Sequence, residues 1–272
     1  MKKRLIFILL VFSIIFITGC AVEELPEVED VFDNPIIEVE EEVVEEEIRS
    51  KPPSEEAIDL SLKQVPVLKN LGIRIEPWDK ETNLAGDLIF SKDVLFEDEN
   101  ILSEKILAEF GDTTHDKRDP KPSVEYWFYP VKGTKVEANT EGVISIFFIE
   151  HTEDWGVSIH PEDSEYIISF EHLINLEVKE GDKVKTGDIL GEVSLREQFG
   201  KDIGFVELAV WQGGRNIFKY CPFDFLDDSL KPLYEEKINR LASDWEQFIG
   251  KDVYKEEDWV SPGCLVNKIQ ER

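Results

Sequence analysis

The chain has 272 residues and a formal net charge of −29 at pH 7, from 59 acidic residues against 30 lysines and arginines. This balance excludes nucleic acid as a partner, because proteins that bind phosphate backbones carry a surplus of basic side chains. An acidic surface favours solubility and weak affinity for anionic lipid headgroups, and it indicates no particular substrate.

Residues 1–19 have the features of a signal peptide. Lys2, Lys3 and Arg4 precede a short apolar run that ends in small residues. The end of the run, Ile17-Thr18-Gly19-Cys20, resembles a prokaryotic lipobox, in which the cysteine receives a diacylglyceryl group. We therefore expect lipidated Cys20 to hold the chain on a membrane. The alternative is an ordinary cleaved signal with an incidental cysteine.

Residues 20–57 are predicted to be a disordered acidic tether. Residues 21–57 contain fifteen acidic side chains against only Arg49 and Lys51. Self-repelling sequences of this composition stay extended because they bury little apolar surface. The interspersed valines and isoleucines leave open an acidic strand or helix that forms against a partner.

Residues 58–272 predict one domain, in the order helix, sheet, helix. A first helix is expected over about 100–110, and a second over about 229–250, with Ser229 as N-cap and Gly250 as its stop. Between them, short runs rich in β-formers are separated by glycine, aspartate and proline. The expected strands are 142–149, 155–160, 165–170, 188–193 and 204–211. The predicted fold class is mainly β with flanking α-helices.

Two cysteines remain once Cys20 is lipidated. Outside the cytoplasm, Cys221 and Cys264 are candidates for a disulfide that fastens the C-terminal segment to the domain. Two buried free thiols or a pair of soft metal ligands are the alternatives. Neither cysteine lies in a CxxC motif or near a histidine, so the sequence gives no support to the metal.

The most specific motifs lie between residues 133 and 211. Val178 to Gly191 (VKEGDKVKTGDILG), Gly133 to Ile144 and Tyr166 to Leu173 (YIISFEHL) resemble, in order and spacing, the core of M23 (LytM-like) peptidases. The resemblance implies a barrel-sandwich hybrid β module, with a core over about 120–226. Lipoyl and biotinyl carriers share the turn-strand-turn motif, but their modified lysine sits in a hairpin such as Met-Lys-Met, and the only methionine here is Met1.

The same resemblance implies that the family's zinc site is lost. Ser123 and Trp127 fall near the positions of the early His and Asp ligands, and Phe205 and Glu207 stand at the two positions of the late His-x-His strand. Only His172, which matches the assisting histidine, is retained. We therefore expect no catalytic residue, no metal and no cofactor, and no hydrolysis by the family mechanism.

The face that carries these residues is predicted to be a binding groove. Its candidate residues are His172, Glu207, Glu125, Tyr126, Trp127 and Trp211. Alternatively, the aromatic side chains simply fill space. A further alternative is a rebuilt metal site from His115, Asp116, Glu125, His172 and Glu207, although residues 115 and 116 are interpreted as part of an exposed loop. A buried carboxylate without a partner is costly, so Glu125 or Glu207 should face water or bond to His172.

Together these features predict a lipid-anchored, extracytoplasmic protein of the cell envelope. Its M23-like domain would act in binding or regulation, with peptidoglycan or an envelope protein as partner. The alternative is an atypical metal-dependent endopeptidase of cell-wall peptides with a non-standard ligand set. A purely structural lipoprotein is a third hypothesis.

Overall fold

The computed structural model describes residues 64–271, apart from the side chain of Glu197. These residues belong to one unit of the chain, Ile58–Arg272. The expectations for the signal peptide, for Cys20 and for the tether over 20–57 lie outside the described residues. Among residues 64–271, no helix combines the length and the apolar character needed to cross a membrane.

Residues 64–271 form fifteen strands, one α-helix and four 3-10 turns. The 3-10 turns are Lys92–Val94, Glu197–Phe199, Pro222–Phe225 and Glu256–Asp258, and the α-helix is α1 Lys231–Ile249. The strands are β1 Leu84–Ala85, β2 Leu88–Ile89, β3 Phe96–Glu97, β4 Leu102–Ser103, β5 Leu107–Ala108, β6 Tyr126–Phe128, β7 Lys135–Glu137, β8 Gly142–Ile149, β9 Asp154–His160, β10 Tyr166–Ile174, β11 Lys183–Val184, β12 Ile189–Leu195, β13 Gly204–Gln212, β14 Ile217–Tyr220 and β15 Lys268–Glu271.

Eleven of these strands form one antiparallel sheet, so the predicted mainly β class is confirmed. Its main path runs β11-β8-β9-β10-β12-β13-β14-β15, with β5, β6 and β7 attached at its side. Strand β13 lies at the centre, because it pairs with β6, β10, β12 and β14. The strands expected from alternation and turn residues form close to their predicted bounds.

The turn-strand-turn motif folds as its residues dictate. Gly181 and Gly187 have φ values of 81° and 89°, which glycine adopts without the clash that a side chain would meet. In each turn an aspartate side chain, Asp182 or Asp188, accepts the backbone N–H three residues earlier at 2.8 Å. Val184 between the turns is buried. These turns fix where β11 and β12 begin.

The helix predicted over about 100–110 is wrong. This segment is extended and contains β4 and β5, and β5 pairs with β6. Its residues Ile106, Leu107 and Phe110 are almost fully buried in this extended conformation. Their spacing does not reflect the apolar face of a helix. The side-chain hydroxyl of Tyr254 further secures the segment, accepting from the Leu107 N–H and donating to the Leu107 carbonyl, both at 3.0 Å. Tertiary packing has overridden helix-like spacing.

The predicted C-terminal helix forms as α1. It buries Ile238, Leu241 and Trp245, the Trp245 ring packs edge-on against Phe90, and its indole donates to the Glu104 carbonyl at 2.8 Å. Gly250 ends it with a left-handed φ of 71°. The expected N-cap is wrong. The cap position is Leu230, no side chain caps the helix, and the Ser229 hydroxyl bonds to Asp227 instead.

Cys221 and Cys264 are joined by a disulfide across 43 residues. Both cysteines are fully buried. The Tyr126 hydroxyl lies beside the bond and donates to the Pro262 carbonyl at 2.6 Å. Strand β15, just after Cys264, pairs with β14, just before Cys221. The disulfide therefore fastens the end of the chain to the central sheet.

Removing this bond should destabilise the domain. Closing a loop of 43 residues stabilises a fold by about 4 kcal/mol in the chain-entropy model. We expect the C221A/C264A variant to unfold at a markedly lower urea concentration than the oxidised protein, and reductant to lower the midpoint of the wild type alone. Equal midpoints for variant and oxidised wild type would contradict this prediction.

Candidate functional site

The site is built where β10 changes partners. The first part of β10 pairs with β13, which sets Glu171 opposite Glu207, and its end pairs with β12. The pairing of β10 with β9 is interrupted between Phe170 and Leu173. His172 lies in this bulge with a φ of 66°, a left-handed conformation that is uncommon for residues other than glycine. The bulge aims the His172 ring toward β13.

His172 is buried between two carboxylates. Its Nδ1 lies 3.0 Å from one carboxylate oxygen of Asp154 and 3.1 Å from the other, and its Nε2 lies 3.5 Å from Glu207 Oε2. Asp154 is further held by the Thr152 hydroxyl, which donates to it at 2.6 Å. The imidazole is thereby fixed at both nitrogens.

These carboxylates govern the protonation of His172. Burial lowers the pKa of the imidazole, but hydrogen bonding to Asp154 and Glu207 outweighs burial and raises the pKa to about 9. Burial acts to raise the pKa of Asp154, yet its bonds from His172 and Thr152 hold it below the usual value. At neutral pH His172 is therefore an imidazolium that pairs with the Asp154 carboxylate.

Arg196 lies over the ring of His172. Its Nη2 is 2.8 Å from Nε2 and 3.2 Å from Nδ1. An atom this close to both ring nitrogens lies over the face of the ring, not in the outward direction of either nitrogen. The guanidinium carbon also lies 4.6 Å from the ring centre of Phe205. Arg196 is thus held by stacking on two rings.

A second group of charges lies immediately before β6 and on β10 and β14. Lys219 Nζ lies 3.2 Å from Glu125 Oε1, and both side chains are buried. Burial, followed by repulsion from Glu207, raises the pKa of Glu125 to about 8, although Lys219 lowers it. Burial and the charge of Glu125 raise the pKa of Glu171 to about 7. One lysine is therefore shared among more carboxylates than it can neutralise.

The expectation for Glu125 and Glu207 is met in a specific way. Glu207 contacts His172, and Glu125 pairs with Lys219, which the sequence analysis did not single out. Both side chains are only 8% exposed. Each has found a protein cation as partner.

The two predicted tryptophans lie at this face and Tyr126 does not. Trp127 is half-buried, packs edge-on against Phe205, and lies opposite Glu207 across the β6–β13 ladder. Trp211 donates its indole N–H to the Ser169 hydroxyl at 2.8 Å. Tyr126 precedes Trp127 in the strand, so it points the other way and is buried beside the disulfide. Its assignment to the groove is wrong.

His115 belongs to the site, although Asp116 does not. The His115 ring lies 4.5 Å from that of Trp127 in an edge-on contact and is half-buried, so the interpretation as an exposed loop is wrong for this residue. Asp116 accepts the backbone N–H groups of Arg118 and Asp119 within its own loop. It contributes to the turn and not to the cluster.

The residues at the family's zinc positions do not fit that metal site. The Ser123 hydroxyl is buried and donates to the Glu125 carbonyl at 2.9 Å, and Trp127 and Phe205 offer no ligand atom. Among residues 64–271, a different set of donors does converge. Ligand atoms of Glu171, His172 and Glu207 lie within 4.8 Å of one another. The sequence analysis missed Glu171, although it adjoins His172.

Solved structures that are similar to this chain include M23 peptidase domains. No family model matches the sequence, and no curated protein matches it. The chain is similar in structure to the catalytic domain of the antimicrobial peptidase lysostaphin from Staphylococcus simulans, with 19% identity over 39% of this chain and 78% of that chain, and a TM-score of 0.34. It is also similar to LytU, with 26% identity over 43% of this chain and 81% of that one, and a TM-score of 0.34.

A third similar structure is Csd3 from Helicobacter pylori, with 17% identity over 61% of this chain and 47% of that chain, and a TM-score of 0.33. In the longer lysostaphin structures the match spans only 38% of the lysostaphin chain. The expected likeness to M23 (LytM-like) domains is therefore found. At TM-scores this low it carries no argument about catalysis, ligands or partners.

The charge cluster should make the fold less stable at alkaline pH. Glu125, Glu171 and His172 all have folded-state pKa values above their ordinary ones, so the folded protein binds these protons more tightly than the unfolded chain. Stability therefore falls as pH rises from about 5 to about 9. Urea midpoints measured across this range should decline.

Glu125→Gln separates this cause from general alkaline effects. The amide cannot titrate, so the decline in the urea midpoint should be shallower in this variant. Glu141→Gln, at an exposed position, is the control and should follow the wild type. An E125Q curve parallel to that of the wild type would refute the assignment.

Proposed function

We propose that this protein is an envelope-tethered binding or regulatory protein whose M23-like domain does not cleave peptide bonds by the family mechanism. The observation that carries the proposal is the pairing of the two carboxylates at the centre of the face. Glu207 is engaged by His172 and Glu125 by Lys219. Glu207, which stands at a zinc-ligand position of the family, is here engaged by a cation of the chain itself, and Trp127 and Phe205 at two other such positions offer no ligand atom.

The same face suits recognition of a peptide. Trp127 and Trp211 are half-buried, and fixed charges lie between them at Lys219 and Glu171. Aromatic surfaces with a few oriented polar groups are typical of ligand-binding sites. Because the sequence motifs over residues 133–211 resemble those of M23 (LytM-like) peptidases, we assign the face to peptide stems of peptidoglycan, or to an envelope protein that presents a similar segment.

The location is part of the proposal. Cys20 is the lipidated residue, the membrane is its partner, and residues 20–57 give the domain reach from the membrane surface. The domain then works outside the cytoplasm. Its disulfide is compatible with such a compartment.

Binding to isolated wall material tests this function. The full chain in detergent should co-sediment with purified peptidoglycan sacculi without releasing soluble peptide or sugar fragments. The W127A/W211A variant should lose most of the co-sedimentation, because it removes both aromatic surfaces. Trp259→Ala, at another half-buried tryptophan, is the matched control and should sediment as the wild type does. Release of fragments by wild-type protein would overturn the proposal.

A second candidate function is supported by the donors on Glu171, His172 and Glu207. Asp154 on the other ring nitrogen of His172 is the type of outer partner that metal-binding histidines have. These three residues would hold a zinc ion, which would act as Lewis acid toward a peptide carbonyl. Arg196, stacked over the ring, opposes a further cation there.

Zinc stoichiometry separates the two candidates. The full chain, purified without chelator and then offered one equivalent of zinc, should retain far less than one ion per chain after desalting. Retention of one zinc that is lost in His172→Ala and Glu207→Ala, but kept in the control His160→Ala, would favour the hydrolase. His160 is the control because it bonds to Ser145 at the far end of β9.

A further inference from the structure

A cavity of about 180 Å³ opens beside the face of β13. One wall is the extended segment that precedes β6, and the other includes the residues that follow β12. The side chains that matter for its chemistry are His115, Trp127, Arg196, Phe199, Phe205 and Glu207. The cavity is therefore mixed, with aromatic walls and a few polar groups.

Three nitrogen atoms at this cavity are buried without a hydrogen-bond partner. They are Trp127 Nε1, Arg196 Nε and His115 Nδ1, and no acceptor or donor of the described chain reaches them. Buried polar groups are almost always satisfied, since an unmade hydrogen bond costs free energy. The indole and guanidinium nitrogens can only donate. A ligand that satisfies them must therefore bring acceptor atoms.

Arg196 is also a cation without an anionic partner. Among side chains that the structure describes, no carboxylate forms an ion pair with it, although the chain has 59 acidic residues. Four carboxylates line the cavity, and each has another cationic partner: Asp112 pairs with Lys105, Glu104 with Lys251 and Asp116 with Arg118, and Glu207 contacts His172. In a protein of net charge −29, an unpaired and partly desolvated arginine points to a negatively charged ligand.

We propose that this cavity binds the free carboxylate of a short peptide, with Arg196 as its ionic partner and the Trp127 indole as a second donor. Stacking on His172 and Phe205 holds the planar guanidinium in place, so little conformational freedom is lost on binding. One unpaired cation matches the single charge of a carboxylate better than the charge of a phosphate. The volume suits one or two small residues.

This inference rests on the proposed function and makes it more specific, because the cavity shares Trp127 and Glu207 with the peptide-binding face. A peptide that ends in a carboxylate would place its last residue in the cavity, against Phe205 and Trp127, while earlier residues cross the face of β13. The proposal therefore assigns a direction to the bound peptide.

The test uses two probes that differ in one group. Acetyl-alanyl-alanine with a free carboxylate and the same peptide with a C-terminal amide are titrated into the full chain, labelled with 15N in detergent. The indole N–H resonance of Trp127, assigned by Trp127→Phe, should shift with the acid. The amide should bind more weakly by about tenfold or more, as expected when a charge-assisted hydrogen bond is lost.

Arg196→Gln should abolish the preference for the acid. Arg196→Lys keeps the charge but loses the planar fork, so it should restore part of the preference. Arg215→Gln, at an exposed position in the loop between β13 and β14, is the matched control and should behave as the wild type. Near-ultraviolet circular dichroism of each variant verifies that the fold is intact.

Equal binding of acid and amide by the wild type would overturn the inference, as would an unchanged preference in folded R196Q protein. If sacculus binding still depends on Trp127 and Trp211 in that case, the proposed function stands and only the carboxylate pocket is refuted. If acid and amide bind equally and sacculus binding also does not depend on Trp127 and Trp211, both proposals are refuted.

Discussion

The structure of this site depends on one constraint, which is that each carboxyl group buried on the face of β13 needs a partner within the chain. Glu207 lies in the middle of a strand with partners on both sides and is largely buried. Glu207 can be buried because the bulge in β10 places His172 beside it. Asp154 contacts the other ring nitrogen of His172. Lys219 is the corresponding partner of Glu125. The backbone irregularity and the ion pairs are thus parts of a single solution.

Most of the sheet could be predicted from local sequence because its signals are local. The turns at Gly181 and Gly187 need only glycine and an aspartate nearby, and the long strands show the alternation of a half-buried surface. The segment near Ile106 was misjudged because its apolar spacing fits a helix equally well. Its true environment, buried between β6 and Tyr254, is set by residues far away in the chain.

The site was less predictable for the same reason. His172, Glu207, Trp127 and Trp211 emerged from motif positions, but Tyr126 was wrongly included because the orientation of β6 was not known. Asp154, Arg196 and Lys219 complete the cluster through contacts between distant segments, and none stands in a motif. Glu171 was the one member with a local signal, since it adjoins His172. Its approach to Glu207 follows only from the strand register.

The backbone at His172 also restricts how this protein can change over evolution. A left-handed φ of 66° costs most side chains about 1–2 kcal/mol, and it is tolerated best by glycine, asparagine, aspartate and histidine. Substitutions that conserve the size or hydrophobicity of a core position, such as valine or leucine, are therefore strained here before any charge is considered. The accessible mutational neighbours of this position are few, and most of them are polar. The bulge thus keeps a polar group at the centre of the face even where selection on its chemistry is weak.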